Sequence, residues 1–139
     1  MKFTGTQKKM KIQLGRVVIL VDDFDQALHF YQTNFFCHTI FDNTTPEGKR
    51  YLHIGFSKKD SIGIWFLKAE SDEQEDKVGK QTAGQPTVVL YTEDIEKLYT
   101  HVKGNGVKIV EKLVEVPGSK FFHCLDLYGN RITVVELTS

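Results

Sequence analysis

The sequence predicts an α+β fold of two βαβββ modules forming a curved mixed sheet, with the helices on its outer face. Three observations predict it. Residues 16–40 and 87–111 are one segment written twice at an offset of 71 positions, with no gap. Val17 falls on Val88, Val18 on Val89, Asp23 on Asp94 and Asn34 on Asn105, while Ile19 with Leu90 and Phe36 with Val107 are conservative matches. Each copy opens on an apolar strand-like run that gives way, after an Asp, to apolar residues at helical spacing. Each is then followed by strand-like runs separated by short polar turns, most of them with Pro/Gly or Gly/Asn. Two copies are too few for a solenoid. They predict one domain over residues 1–139, with halves at about 14–68 and 86–137 and a concave seam between them.

The elements follow in order. Residues 14–21 are almost continuously apolar, the pattern of a strand covered on both faces. Asp23 with Gln26 has the form of a capping box, and Phe24, Ala27, Leu28, Tyr31 and Phe35 form the apolar stripe of a helix ending near Asn34. Strands are predicted at 37–42, 50–57 and 61–68, with turns at Pro46-Glu47-Gly48 and Lys58-Lys59-Asp60; the last strand is apolar on both parities and so central. Residues 70–85 are charged and Gly-containing and read as a polar linker. The second half repeats the order: strand 86–92, helix from about Asp94 to Lys103 capped by Gly104, then strands 107–115, 119–125 and 131–137. The third strand of this half is expected to be short or merged.

Composition narrows the function. Lys plus Arg equals Asp plus Glu at 18 each, which argues against a nucleic-acid partner. Lys2, Lys8, Lys9 and Lys11 read as a solvated leader. No apolar run approaches the ~18 residues needed to span a bilayer, and residues 1–15 lack the apolar core of a secretory signal. These features predict a cytoplasmic protein with no membrane partner. Cys37 and Cys124, without C-x-x-C spacing, are then expected as buried free thiols.

The paired halves resemble the vicinal oxygen chelate superfamily, which includes glyoxalase I, extradiol dioxygenases and bleomycin-resistance proteins. Arg16 to Tyr31, ending Ala27-Leu28-His29-Phe30-Tyr31, is similar to the family's first strand and helix. Asp126-Leu127-Tyr128-Gly129-Asn130 is similar to its Asp-Pro-Asp-Gly-Asn turn, departing at Leu127 and Tyr128. The resemblance covers residues 14–137. It is specific for fold and weak for activity, since one scaffold hosts many chemistries.

Metal-dependent members carry His, Gln or Glu at four strand positions. The resemblance puts these at Arg16, at Ile64 or Trp65, at Thr87 and at Thr133. A guanidinium repels a divalent ion and the others are poor ligands or none. The expectation is therefore no metal and no cofactor. With Asp126 taken to pair with Arg131, Phe122 and Cys124 share the cup face with Arg131 and Thr133, and His123 points to the helix side. Glu136 reads as a solvated strand end. His29 and His101 sit on exposed helix faces and His38 begins a strand; none is assigned chemistry.

Alternation along the strands, with that pairing, turns Arg16, Leu20, Thr87, Tyr91, Phe122, Arg131 and Thr133 to the cup; Trp65 or its neighbour Phe66 joins them, His53 lies on a strand that could line it, and the expected ligand-binding set is these residues with Trp65 and His53. No catalytic residue is assigned. Arg16 calls for either a carboxylate neighbour or an anionic ligand. The first reading of function is a metal-free module binding a small organic molecule, resembling the bleomycin-resistance branch. The alternative is a divalent-metal-dependent lyase or dioxygenase with displaced ligands, or a metal-free catalyst using His53, Arg16 or Tyr91. A third is an interaction role. The resemblance also implies a homodimer, with the cup completed within one chain or between chains.

Overall fold

The computed structural model describes residues 10–57 and 62–138. The turn expected at 58–60 and Lys2, Lys8 and Lys9 lie outside the described residues. The first module runs β1 (Arg16–Val21), α1 (Phe24–Phe35), β2 (His38–Thr44), β3 (Arg50–Gly55), β4 (Gly63–Lys68). A short helix, α2 (Asp72–Lys77), follows. The second module runs β5 (Pro86–Tyr91), α3 (Ile95–Gly104), β6 (Ile109–Val116), β7 (Ser119–Leu125), β8 (Arg131–Leu137). All three strands after α3 are full strands, so none is short or merged.

The strands form two four-stranded mixed sheets, ordered β1-β4-β3-β2 and β5-β8-β7-β6. In each, the first strand lies parallel to the last: the helix carries the chain to the opposite edge, and two antiparallel steps bring it back beside the first strand. The two sheets do not close into one.

The repeated aspartates start the two long helices. Asp23 Oδ1 accepts the Gln26 N–H at 2.9 Å, and Asp94 Oδ1 accepts the Lys97 N–H at 3.3 Å. The helix ends differ from expectation. Gly104 is the last helical residue, and the left-handed position two residues on belongs to Gly106 (φ 84°). After α1 the left-handed residue is Phe36 (φ 57°), a conformation that disfavours a side chain. Helix α2 breaks up the predicted linker. Ser71 Oγ accepts the Gln74 N–H at 3.1 Å, but no residue of α2 is buried, so no apolar stripe announces it.

Each sheet has one covered face and one open face. Ile19, Val21, Leu52, Ile54, Ile64 and Phe66 cover α1; Phe122, Cys124, Ile132 and Val134 lie on the α3 side, and all join one continuous core with Tyr31, Ile95 and Val102. Each fully buried side chain of this kind contributes about 1.5–3 kcal/mol. β1 is not covered on both faces: its alternate residue Val18 is 38% exposed.

The modules join on the helix side. Tyr31 Oη donates to Asp126 Oδ2 at 2.8 Å, the Asp23 N–H donates to Tyr128 Oη at 3.0 Å, and Asn105 Nδ2 donates to Asn34 Oδ1 at 3.0 Å. His101, expected on an exposed helix face, sits in this seam, with Nε2 2.7 Å from the Thr33 carbonyl and its ring stacked on Phe36. Cys37 and Cys124 are buried free thiols, both pushed up to about 12 by burial.

Candidate functional site

The open face of the first sheet is aromatic, with a cation at its edge. Register pairs Val18 with Trp65 and Trp65 with His53, so Arg16, Val18, Trp65, His53 and Tyr51 share that face, as alternation requires. Trp65, not Ile64, is the open-face residue of β4; Ile64 is in the core. The His53 and Trp65 rings lie 5.3 Å apart, Tyr51 packs 6.1 Å from Trp65, and Phe41 on β2 lies 5.6 Å from His53.

Arg16 meets no carboxylate here among the described residues. Its Nε donates to His53 Nδ1 at 3.1 Å and its Nη1 to the Gly15 carbonyl at 2.7 Å. Accepting at Nδ1 fixes the neutral imidazole as the Nε2–H tautomer. Burial, then the guanidinium charge, holds His53 below the ordinary histidine value. His53 Nε2 and Trp65 Nε1 are both buried with no hydrogen-bond partner among the described residues.

The open face of the second sheet is a network around one carboxylate, in which Arg131 Nε alone is buried without a partner among the described residues. Leu125 pairs with Arg131 and His123 with Thr133. His123 Nδ1 lies 2.8 Å from Thr133 Oγ1, its Nε2 lies 3.5 Å from Glu111 Oε2, and Arg131 Nη2 lies 3.4 Å from the same Glu111 oxygen. The tautomer that turns Nε2–H to Glu111 leaves Nδ1 to accept the Thr133 hydroxyl. Burial and Arg131 lower the His123 pKa, and Glu111 works against them. Thr87 Oγ1 lies 3.0 Å from Thr82 Oγ1.

This register corrects the sequence reading of β7. Asp126 does not pair with Arg131. It closes the turn, accepting the Tyr128 and Asn130 N–H groups at 2.9 Å each. The ladder therefore starts one residue earlier, and a one-residue slip exchanges faces. Phe122, expected in the cup, is fully buried on the helix side against Tyr99, and His123 takes the open face. Glu136 is also not a solvated end: its Oε1 accepts the Ile95 N–H at 2.8 Å and caps α3.

The expected ligand-binding set is thus divided. Arg16, His53 and Trp65 form one cluster, and Thr87, Arg131 and Thr133 lie on the other sheet. Leu20 lines a separate hollow of about 570 Å³ with Phe24, Arg50 and Leu67, and its N–H donates to Gln81 Oε1 at the β1 edge. Tyr91, 69% exposed, lines a cavity of about 480 Å³ in the seam, with Phe35, Phe36 and Phe56 from the first module and Val89 and Leu98 from the second. Sequence reasoning missed Phe41, Tyr51 and Glu111. Tyr51 could have been found by alternation from His53; Phe41 and Glu111 needed the ladder registers, both interrupted by irregularities.

The metal-binding positions implied by the family resemblance do not suit a divalent ion. Arg16 is a cation bonded to the one nearby imidazole, Trp65 is not a ligand, and Thr133 is engaged by His123. Among the described residues no three His, Cys, Asp or Glu side chains gather as a metal site. No helix among them is long and apolar enough to cross a membrane.

Comparison with known proteins gives a consistent picture. Residues 13–134 match the family model of the Glyoxalase/Bleomycin resistance protein/Dioxygenase superfamily. An uncharacterized protein of Shewanella frigidimarina is 26% identical over 129 residues, covering 92% of this chain and 96% of the relative. The fold is similar to that of UcmS2 (TM-score 0.78, 23% identity, 91% of this chain and 98% of the other). It is similar also to that of TnmS3, an antibiotic binding protein from Streptomyces sp. CB03234 (TM-score 0.75, 16% identity, 94% and 100%). The chain belongs to the Glyoxalase/Bleomycin resistance protein/Dioxygenase superfamily.

Proposed function

We propose that this protein is a metal-free binder of small organic molecules, cytoplasmic and homodimeric, with no nucleic-acid partner. The observation that carries the reading is the uncovered aromatic face of the first sheet. Phe41, Tyr51 and Trp65 flank His53 there, and Phe41 is 47% exposed. Such a face, carrying a few polar groups, has the make-up of a ligand wall. An antibiotic binding protein of the same fold supports the class of ligand.

The homodimer supplies the opposite wall. Within the chain, the polar groups of the two open faces bond inside their own sheets, and the modules join on the helix side. A second copy would set the Thr87–Arg131–Thr133 face of one chain against the Arg16–His53–Trp65 face of the other. β5 adds an edge with exposed Val89 and Tyr91 for that contact. Buried thiols and a zero formal net charge support the cytoplasmic, nucleic-acid-free setting.

The test is a thermal-shift panel of aromatic compounds and divalent metals, run beside size-exclusion chromatography. The reading expects elution at twice the 15.9 kDa chain mass and stabilisation by organic compounds. A monomer at every concentration would overturn the dimer. Stoichiometric divalent metal retained after dialysis, or a panel without any stabilising organic compound, would overturn the binding reading.

A further inference from the structure

We infer that the open face of the first sheet takes the carboxylate of an aromatic acid, with Arg16 supplying charge and the His53 and Trp65 ring N–H groups supplying donors. The inference rests on the binding reading above and names its ligand class.

The two open faces differ in their acceptors: Arg131 Nε on the second is also buried without a partner, but its guanidinium has the Glu111 carboxylate, and Arg16 has none among the described residues. On the second sheet cation, carboxylate, imidazole and hydroxyl are all present: Arg131 and His123 share Glu111, and His123 meets Thr133. On the first sheet the cluster of Arg16, His53 and Trp65 brings donors with no carboxylate beside them among the described residues. Arg16 spends its one Nε–H on His53, which consumes the imidazole's only acceptor atom and leaves the proton on Nε2. That ring N–H and the Trp65 indole N–H are buried and have no acceptor among the described residues. Buried donors are ordinarily satisfied, so such a pair requires explanation. A water could serve one of them, but a water supplies no charge to Arg16. One carboxylate supplies two acceptor oxygens and a single negative charge to match the single guanidinium.

The rest of the molecule is specified by the walls. Trp65 is flanked by His53 at 5.3 Å and Tyr51 at 6.1 Å, so a ligand reaching the indole N–H passes between rings. An aromatic ring bearing the acid fits that slot better than an aliphatic one. Phe41, 47% exposed, closes the outer side of this cluster. It lies on the edge strand β2 beside a break in register between Thr39 and Phe41.

Trp65 is the single tryptophan, so its indole gives one cross-peak in an amide proton–nitrogen spectrum. The full-length protein is titrated with 2-naphthoate and, separately, with the uncharged 2-naphthylmethanol. The expected result is a saturable downfield shift of the indole peak by naphthoate. The alcohol should bind about tenfold or more weakly, the loss expected for one charge-assisted hydrogen bond. Arg16→Met should abolish the preference for the acid. His53→Gln, which retains a side-chain N–H donor, should keep it; the remaining spectrum reports whether each variant is folded. Equal binding of acid and alcohol, unchanged in Arg16→Met, would overturn the carboxylate while leaving the binding reading intact. An indole peak moved by neither probe would overturn the inference; a failed thermal-shift panel would overturn the reading beneath it.

Discussion

Asn34 and Asn105, which coincide when the first half is laid on the second, are bonded to each other: Asn105 Nδ2 donates to Asn34 Oδ1 at 3.0 Å. Equivalent residues in contact mark the place where a two-fold relation between the modules passes, at the C-terminal ends of α1 and α3. Asn34 is buried and its Nδ2 donates back to the Phe30 carbonyl at 3.0 Å. Its replacement therefore loosens both a helix end and the seam.

Asn34→Ala and Asn105→Ala should each lower unfolding stability by about 1–2 kcal/mol, since each strands a polar partner. The double variant should cost less than the sum, by roughly 0.5 kcal/mol or more. Urea unfolding of the four proteins checks it. Strict additivity would show that the pair does not couple the modules.

Tyr31→Phe tests another tie across the seam. Tyr31 is buried, and burial together with Asp126 raises its pKa well above the ordinary tyrosine value, so it is a standing donor. Asp126 also accepts three groups of its own turn, from Tyr128 and Asn130. Removing the hydroxyl takes one of four donors from a buried carboxylate, a loss of about 1.5–3 kcal/mol. An unchanged denaturation midpoint would contradict it.

Acid should destabilise the protein through its two open-face histidines. Burial first, then the adjacent guanidinium, lowers both His53 and His123 below the ordinary histidine value. The unfolded chain therefore binds protons more readily than the folded one, and stability rises with pH wherever that difference holds. The contribution is whole above about 6.5 and is lost as pH falls through the folded values. The melting temperature should be flat near pH 7 to 8 and fall below about 6.5. In a His53→Gln, His123→Gln double variant the upper part of that fall should flatten. A parallel curve would exclude the histidines.

Gly79 is held by the seam rather than by its own helix. It has φ 77°, and a Cβ built on it would overlap the Tyr128 carbonyl. Gly79→Ala combines a disfavoured backbone with a backbone clash, so a loss of about 2 kcal/mol or more is expected. Gly84→Ala is the control: its φ is 87° but nothing lies within 4 Å of the built Cβ, so it should cost about half as much. Equal losses would show that the contact with Tyr128 carries no weight.

The sequence alone determined the local layers of this protein. The offset of 71 located both modules, because capping and apolar periodicity are local and survive duplication: Asp23 and Asp94 cap their helices, and Ala27, Tyr31 and Phe35 of the predicted stripe are buried. It also named Arg16, His53 and Trp65 as candidates, while the ladder registers decided that Trp65 shares the face of Arg16 and His53. Three further features were left to the tertiary structure. Phe122 and His123 exchanged faces because Asp126 was taken up by its own turn, and side-chain orientation has a period of two, so one residue inverts it. The apolar run of β1 looked doubly covered although Val18 is open, since hydrophobicity does not state which neighbour covers a face. The separation of the two open faces was decided by how the helix sides pack into a common core, a long-range choice made through Tyr31, Asp126, Asn34 and Asn105 that no local pattern encodes.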